Sequence, residues 1–196
     1  MTRASDVANI LKQPFTNTLG TSNYRAGVNA GDSVASGGNY NVLIGDDAGT
    51  ALTTGDNNIA IGFEALQTED AHGNNTAIGY RALKNQDAGA EAYNTALGAY
   101  AGVAVTTGTT NSFVGAYAGE AMTTGGSSTA VGYESLHASQ DGAGNACVGY
   151  RAGYSITSGS RNVAVGEQSL RGATTGDDNI GIGHQSFFAT CTGSDN

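Results

Sequence analysis

The stretch Asn58-Ile59-Ala60-Ile61-Gly62 is followed by Asn75-Thr76-Ala77-Ile78-Gly79, and the same frame recurs along most of the chain. The frame is Asn, a β-branched or small residue, Ala, an aliphatic, Gly, two variable residues and a small residue. Nine copies close at Gly45, Gly62, Gly79, Gly98, Gly115, Gly132, Gly149, Gly166 and Gly183. Consecutive glycines stand 17 residues apart, except for a step of 19 between Gly79 and Gly98. That period is short for a helical-pair repeat, and it carries no helical stripe. Each five-residue segment alternates as a strand does, so one repeat reads as one coil of an all-β, parallel β-solenoid.

Alternation puts the second and fourth positions of the frame on one face and the third on the other. The fourth is aliphatic in every copy (Ile44, Ile61, Ile78, Leu97, Val114, Val131, Val148, Val165, Ile182), which predicts an inward column. The third is Ala in five copies, and the eighth is small throughout, from Ala48 to Ser186. Both sets are expected to let neighbouring chains approach closely. A second apolar column alternates between two sites. Copies with Gly49, Gly102, Gly119 or Gly153 carry Leu52, Val105, Met122 or Ile156 three places later. Copies with Leu66, Leu83, Leu136, Leu170 or Phe187 at the Gly site carry Glu69, Gln86, Ser139, Ala173 or Thr190 there instead. Each coil then contributes one plug to a core of near-constant volume. Phe187 and Phe188 are expected to cap that core.

The chain divides into a docking arm over 1–16, an atypical capping coil over 17–40 and the repeat domain over 41–196. In the arm, Ile10, Leu11 and Phe15 have roughly helical spacing and are candidate attachment residues; a frayed terminus is the alternative. In the capping coil, Tyr24-Arg25-Ala26-Gly27 echoes Tyr150-Arg151-Ala152-Gly153, and a solenoid end needs its sheet edge blunted or docked. The two extra residues near Ala90 to Tyr93 are expected to bulge in an outer loop.

With 17 acidic residues against 8 Lys and Arg, the net charge of −9 argues against a nucleic-acid partner. No stretch is long and apolar enough to be a membrane span, and no signal peptide is evident. Cys147 and Cys191 fall in different columns two coils apart, beyond disulfide reach, and are expected to be buried thiols.

No catalytic residue, cofactor or metal ligand set is expected. His72, His137 and His184 occupy three different columns and read as solvated surface residues, with no triad spacing. The acidic turns at Asp56 and at Asp177-Asp178 could bind Ca²⁺ but fit ordinary Gly-Asp turns better. Thr-Thr-Gly turns at Thr53, Thr106, Thr123 and Thr174 raise an ice-binding array, which Asp70, Asp87 and Gln140-Asp141 interrupt. Aromatics follow the frame glycine: Phe63, Tyr80, Tyr133 and Tyr150 at one position, Tyr100 and Tyr117 at the next. They suit a subunit interface, with glycan binding as the alternative.

One aliphatic, one half-apolar position and one plug per coil make a thin core, so association should supply further burial. A symmetric homo-oligomer follows. Asn heads eight of the nine copies, and stacked Asn side chains can form a hydrogen-bonded ladder.

The phrase Asn75-Thr76-Ala77-Ile78-Gly79-Tyr80-x-Ala82-Leu83 resembles the repeats of bacteriophage tail-fibre and related virion proteins. It is also similar to the head repeats of trimeric autotransporter adhesins. The resemblance covers Asn41 to Asp195 and implies a left-handed β-roll homotrimer. The spacing is longer than in adhesins, and the chain lacks their secretion signal, stalk and anchor, as well as a tail-fibre chaperone domain. The expected function is therefore a non-enzymatic structural protein on the virion exterior, a capsid decoration or cement protein or a short tail fibre or spike. It would bind other capsid or tail proteins through its N-terminal region. The alternative is a host-surface or glycan-binding adhesin head on the bacterial cell surface.

Overall fold

The computed structural model describes residues 22–172, 175–187 and 193–196, in which ten three-residue strands form one parallel sheet in strict chain order. The strands are β1 (Tyr24–Ala26), β2 (Val42–Ile44), β3 (Ile59–Ile61), β4 (Thr76–Ile78), β5 (Thr95–Leu97), β6 (Ser112–Val114), β7 (Thr129–Val131), β8 (Ala146–Val148), β9 (Val163–Val165) and β10 (Ile180–Ile182). Each pairs in unshifted frame register with the next, so Ile61, Ile78 and Leu97 form one file. The molecule is a β-solenoid of about nine coils, and among the described residues it has no α-helix. The described residues thus hold no helix long and apolar enough to cross a membrane.

The vertical files are as the repeat predicts, but their sides are reversed. The third-position residues, Leu43, Ala60, Ala77, Ala96, Phe113, Ala130, Cys147 and Ala164, are the buried ones. The fourth-position file points out of the coil: Leu97 is 46% exposed and Ile182 69%. The eighth-position residues Ala48, Ala65, Ala82, Ala101, Ala118, Ser135, Ala152 and Ser169 are also fully buried and are not available to a neighbouring chain. The reason is geometric. A 17-residue coil encloses a narrow shaft into which the third, eighth and plug positions converge, and the large third-position residues Leu43 and Phe113 fit because Gly49 and Gly119 stand beside them.

The two-site plug is present. Leu52, Val105, Met122 and Ile156 fill the core in some coils and Leu66, Leu83, Leu136 and Leu170 in others. The third position takes part in the same compensation. Phe113, the largest fully buried side chain, lies between Gly102 and Gly119, where an added Cβ would come 2.7 and 2.5 Å from its ring. Coils with Leu66 or Leu83 carry only Ala60 or Ala77 at the third position. Phe187, in the same column, is 42% exposed and so does not close the core as a cap would.

Asn side chains make the second vertical file. Asn111 is typical: its Nδ2 donates to Gly125 O at 2.9 Å, while its Oδ1 accepts the N–H of Ser128 at 3.0 Å. Asn41, Asn145, Asn162 and Asn179 donate to a turn carbonyl in the same way. The file runs on to Asn23 at one end and Asn196 at the other. Each bond pairs a buried backbone group that would otherwise lack a partner.

That file also corrects the reading of the first coil. Asn23 heads a copy of the frame, and Tyr24-Arg25-Ala26 forms β1 in register with β2, so these residues do not match the turn phrase at Tyr150. Arg25 stands at the inward third position, with Nη1 donating to Gly31 O at 2.7 Å. The docking arm, with Ile10, Leu11 and Phe15, lies outside the described residues, as do Phe188 and Cys191.

Candidate functional site

Six aromatic rings from six successive coils join into one ladder beside the sheet. Ring centroids are separated by 5.5 Å between Phe63 and Tyr80, 5.1 Å between Tyr80 and Tyr100, and 5.2 Å between Tyr100 and Tyr117. The ladder continues from Tyr117 to Tyr133 at 5.9 Å and from Tyr133 to Tyr150 at 5.8 Å. Tyr80, Tyr100, Tyr117, Tyr133 and Tyr150, which the sequence places in two frame positions, are thus brought together in space. The switch of position follows the backbone. Residues two after the frame glycine, such as Tyr100 and Tyr117, have φ of 59°, and this conformation turns their rings into the file occupied elsewhere by the preceding residue.

The ladder is three parallel pairs set edge-on to each other. Phe63–Tyr80, Tyr100–Tyr117 and Tyr133–Tyr150 are stacked within 15°, whereas the joints between pairs are tilted by 65° and 77°. Stacking occupies ring faces and leaves edges for solvent or a partner, while the Tyr80 and Tyr133 hydroxyls are engaged with Tyr100 and Glu134. Sugar rings are bound through aromatic faces, so the arrangement suits packing against protein better than it suits glycan capture.

Charged residues flank the ladder as pairs between coils. Glu64 Oε2 accepts from Arg81 Nε at 2.7 Å and from Lys84 Nζ at 2.6 Å, and Glu134 Oε2 accepts from Arg151 Nε at 2.5 Å. The Lys84 hydrogen bond, joined by that of Arg81, holds the Glu64 carboxyl below its usual range despite burial acting the other way. Arg81 and Arg151 also lie 5.1 and 5.2 Å from the rings of Tyr80 and Tyr150. Sequence reading missed a further group. His137 Nε2 lies 2.6 Å from Glu120 Oε2, and its ring stacks on Tyr154 at 4.8 Å. The only signal was that Glu120, His137 and Tyr154 stand 17 residues apart.

Other candidates for chemistry are dispersed or engaged. Cys147 is a buried free thiol whose pKa is pushed up to about 12 by burial, which suppresses the nucleophilic thiolate. Of the histidines, only His184 is largely exposed; His72 and His137 are about a quarter exposed and face carboxylates. The acidic turns serve the backbone and an ion pair. Asp56 Oδ1 accepts the Asn39 N–H, Asp177 Oδ1 accepts that of Ser160, and Asp178 pairs with Arg161 at 2.6 Å. Thr106 and Thr123 donate their hydroxyls to the carbonyls of Thr123 and Gln140 in the next coil. Thr53 does the same to Asp70 O, so these hydroxyls are not presented as a free array.

Glu69 is different. It sits in the core column, fully buried, with Oε1 accepting the His72 N–H at 3.1 Å and Oε2 unpartnered. Burial raises its pKa to about 7, against the pull of that N–H and of the His72 ring.

No protein-family model, no curated protein and no solved structure matches the chain.

Proposed function

We propose that the protein is a non-enzymatic scaffold that assembles with two further copies of itself through the outer face of its sheet. The observation that carries this reading is the uncovered aliphatic file at the fourth frame position. It runs from Ile44 through Ile61, Ile78, Leu97, Val114, Val131, Val148 and Val165 to Ile182, flanked by the second-position Val42, Ile59 and Val163. At usual strand spacing this face measures roughly 10 by 45 Å, comparable to the largest apolar patches monomers leave in water. Its repeat is identical from coil to coil, so a rotated copy meets it in register along its whole length.

The number three, and the setting on the exterior of a phage-like particle as capsid decoration or short fibre, rest on the resemblance of the Asn-Thr-Ala-Ile-Gly-Tyr phrase. In that setting residues 1–16, with Ile10, Leu11 and Phe15, attach the rod to other virion proteins. The adhesin-head alternative rests on the resemblance to adhesin head repeats alone.

Sedimentation equilibrium of the full chain is expected to give three times the 19.6 kDa chain mass. Ile61→Asp combined with Val131→Asp, both outside the core, should yield a monomer that keeps its β-sheet circular dichroism. A wild-type chain that sediments as a folded monomer defeats the assembly. Immunogold labelling that finds the protein absent from particles defeats the virion setting. Specific glycan-array binding lost on Tyr117→Ala promotes the adhesin reading.

A further inference from the structure

We propose that Glu69, Asp70, His72 and Asp87 form a binding site for a divalent transition-metal ion of the Zn²⁺ class. One ligand atom from each lies within 4.8 Å of the other three. The two atoms that the fold leaves without hydrogen-bond partners there, Glu69 Oε2 and His72 Nδ1, belong to this group, and both are buried. His72 Nδ1 also lies 3.5 Å from Glu69 Oε1. A buried carboxylate oxygen and a buried imidazole nitrogen left unpaired side by side are costly as they stand, and each is a good ligand for a metal.

The donor set selects the kind of ion. One imidazole and three carboxylates suit a borderline divalent ion, whereas Ca²⁺ takes six to eight oxygens and no nitrogen. A tetrahedral ion at about 2.0 Å holds its ligand atoms about 3.3 Å apart. Glu69 and His72 come from one short turn and are held by burial and by the Glu69–His72 N–H bond. Asp70 and Asp87 are exposed and free to swing inward. Because they stand 17 residues apart in the frame, the ion joins two successive coils.

The location gives the join a role. Asn75 is the one Asn of the ladder whose Nδ2 is buried without a partner among the described residues. The regular coils offer the accepting carbonyl 14 residues on, and after Asn75 that connection is two residues longer. Where the regular coils are tied by an amide hydrogen bond, this pair is tied through Asp70 and Asp87. Nothing in this inference depends on the trimer or on the virion setting.

The test uses the full chain, stripped with EDTA, dialysed and titrated calorimetrically with Zn²⁺ and, separately, Ca²⁺. One Zn²⁺ per chain is expected, with Ca²⁺ binding much weaker. Co²⁺ in place of Zn²⁺ should give visible absorption bands of a four- or five-coordinate ion. Glu69→Gln should keep the fold, because Gln86 occupies the same frame position one coil on and is fully buried there. It should weaken Zn²⁺ binding at least about tenfold, as should His72→Ala, since each removes a direct ligand. His137→Gln, at the separate Glu120 pair, should leave it unchanged. Absence of Zn²⁺ binding at about 0.1 mM, or binding unaffected by Glu69→Gln while circular dichroism stays native, overturns the site. Tighter binding of Ca²⁺ than of Zn²⁺ overturns the assigned class of ion.

Discussion

The coil around Asn111 and the coil around Asn75 carry the same frame and differ by two residues in the connection that follows. At Asn111 the side chain makes both ladder bonds, to Gly125 O and from the Ser128 N–H. At Asn75 only the second survives, with Oδ1 accepting the Asn94 N–H at 3.1 Å, and Nδ2 is orphaned. Two inserted residues leave the strand pairing of β4 with β5 intact. The regular coils are therefore held redundantly, by sheet and ladder. The insertion spares the first and removes one of the two bonds of the second, and the buried Glu69 carboxyl stands in the preceding turn.

The largest effect is expected where both kinds of coil depend on the same backbone. Gly98 has φ of +145°, and an added Cβ would fall 2.5 Å from Gly115 O. Gly98→Ala combines an unfavourable conformation with a backbone clash and should cost on the order of 3 kcal/mol or more, read by urea denaturation. A cost below about 1 kcal/mol would mean that neighbouring coils separate easily, against the redundancy argued above.

The comparison itself is measured by two truncations. Asn111→Ala strands a buried carbonyl and a buried N–H and should cost about 2–3 kcal/mol, whereas Asn75→Ala removes one made bond and one orphan and should cost about 1 kcal/mol less. Equal losses would show that Asn75 Nδ2 has an unrecognised partner.

The smallest effect concerns pH. In the metal-free protein the Glu69 carboxyl titrates near 7 when folded, against 4.5 as the ordinary value. Between these values the unfolded chain gives up a proton that the native state keeps, so native stability falls as pH rises through that window and then levels. Glu69→Gln removes this slope. Relative to wild type it should gain on the order of 2 kcal/mol at about pH 8 and nearly nothing at about pH 4, by thermal melts at both. A gain independent of pH would assign the effect to packing.

How much could be read from the residues alone varies by column. The glycine spacing gave the coil and its register, and the Asn heads gave the ladder, because both recur at one phase and a single backbone conformation repeats with them. The alternation of Leu66 with Leu52 revealed the two plug sites for the same reason. Phe63, Tyr80 and Tyr100 were visible as candidates, but not as one file, since the joining of two frame positions depends on the φ of the second. The Glu69 group was hidden because His72 stands 15 residues before Asp87 and shares no column with it. Proximity there comes from the turn in three dimensions.

Periodicity determined that this chain is a stack of parallel coils whose like residues lie over one another. Which face of each strand lies inside was settled only in three dimensions. Alternation divides a strand into two faces without labelling them, and here both are apolar: Ala60 and Ala77 on one, Ile61 and Ile78 on the other. The narrow shaft closed by each turn admits the small set with its plugs and leaves the larger aliphatics on the outer surface.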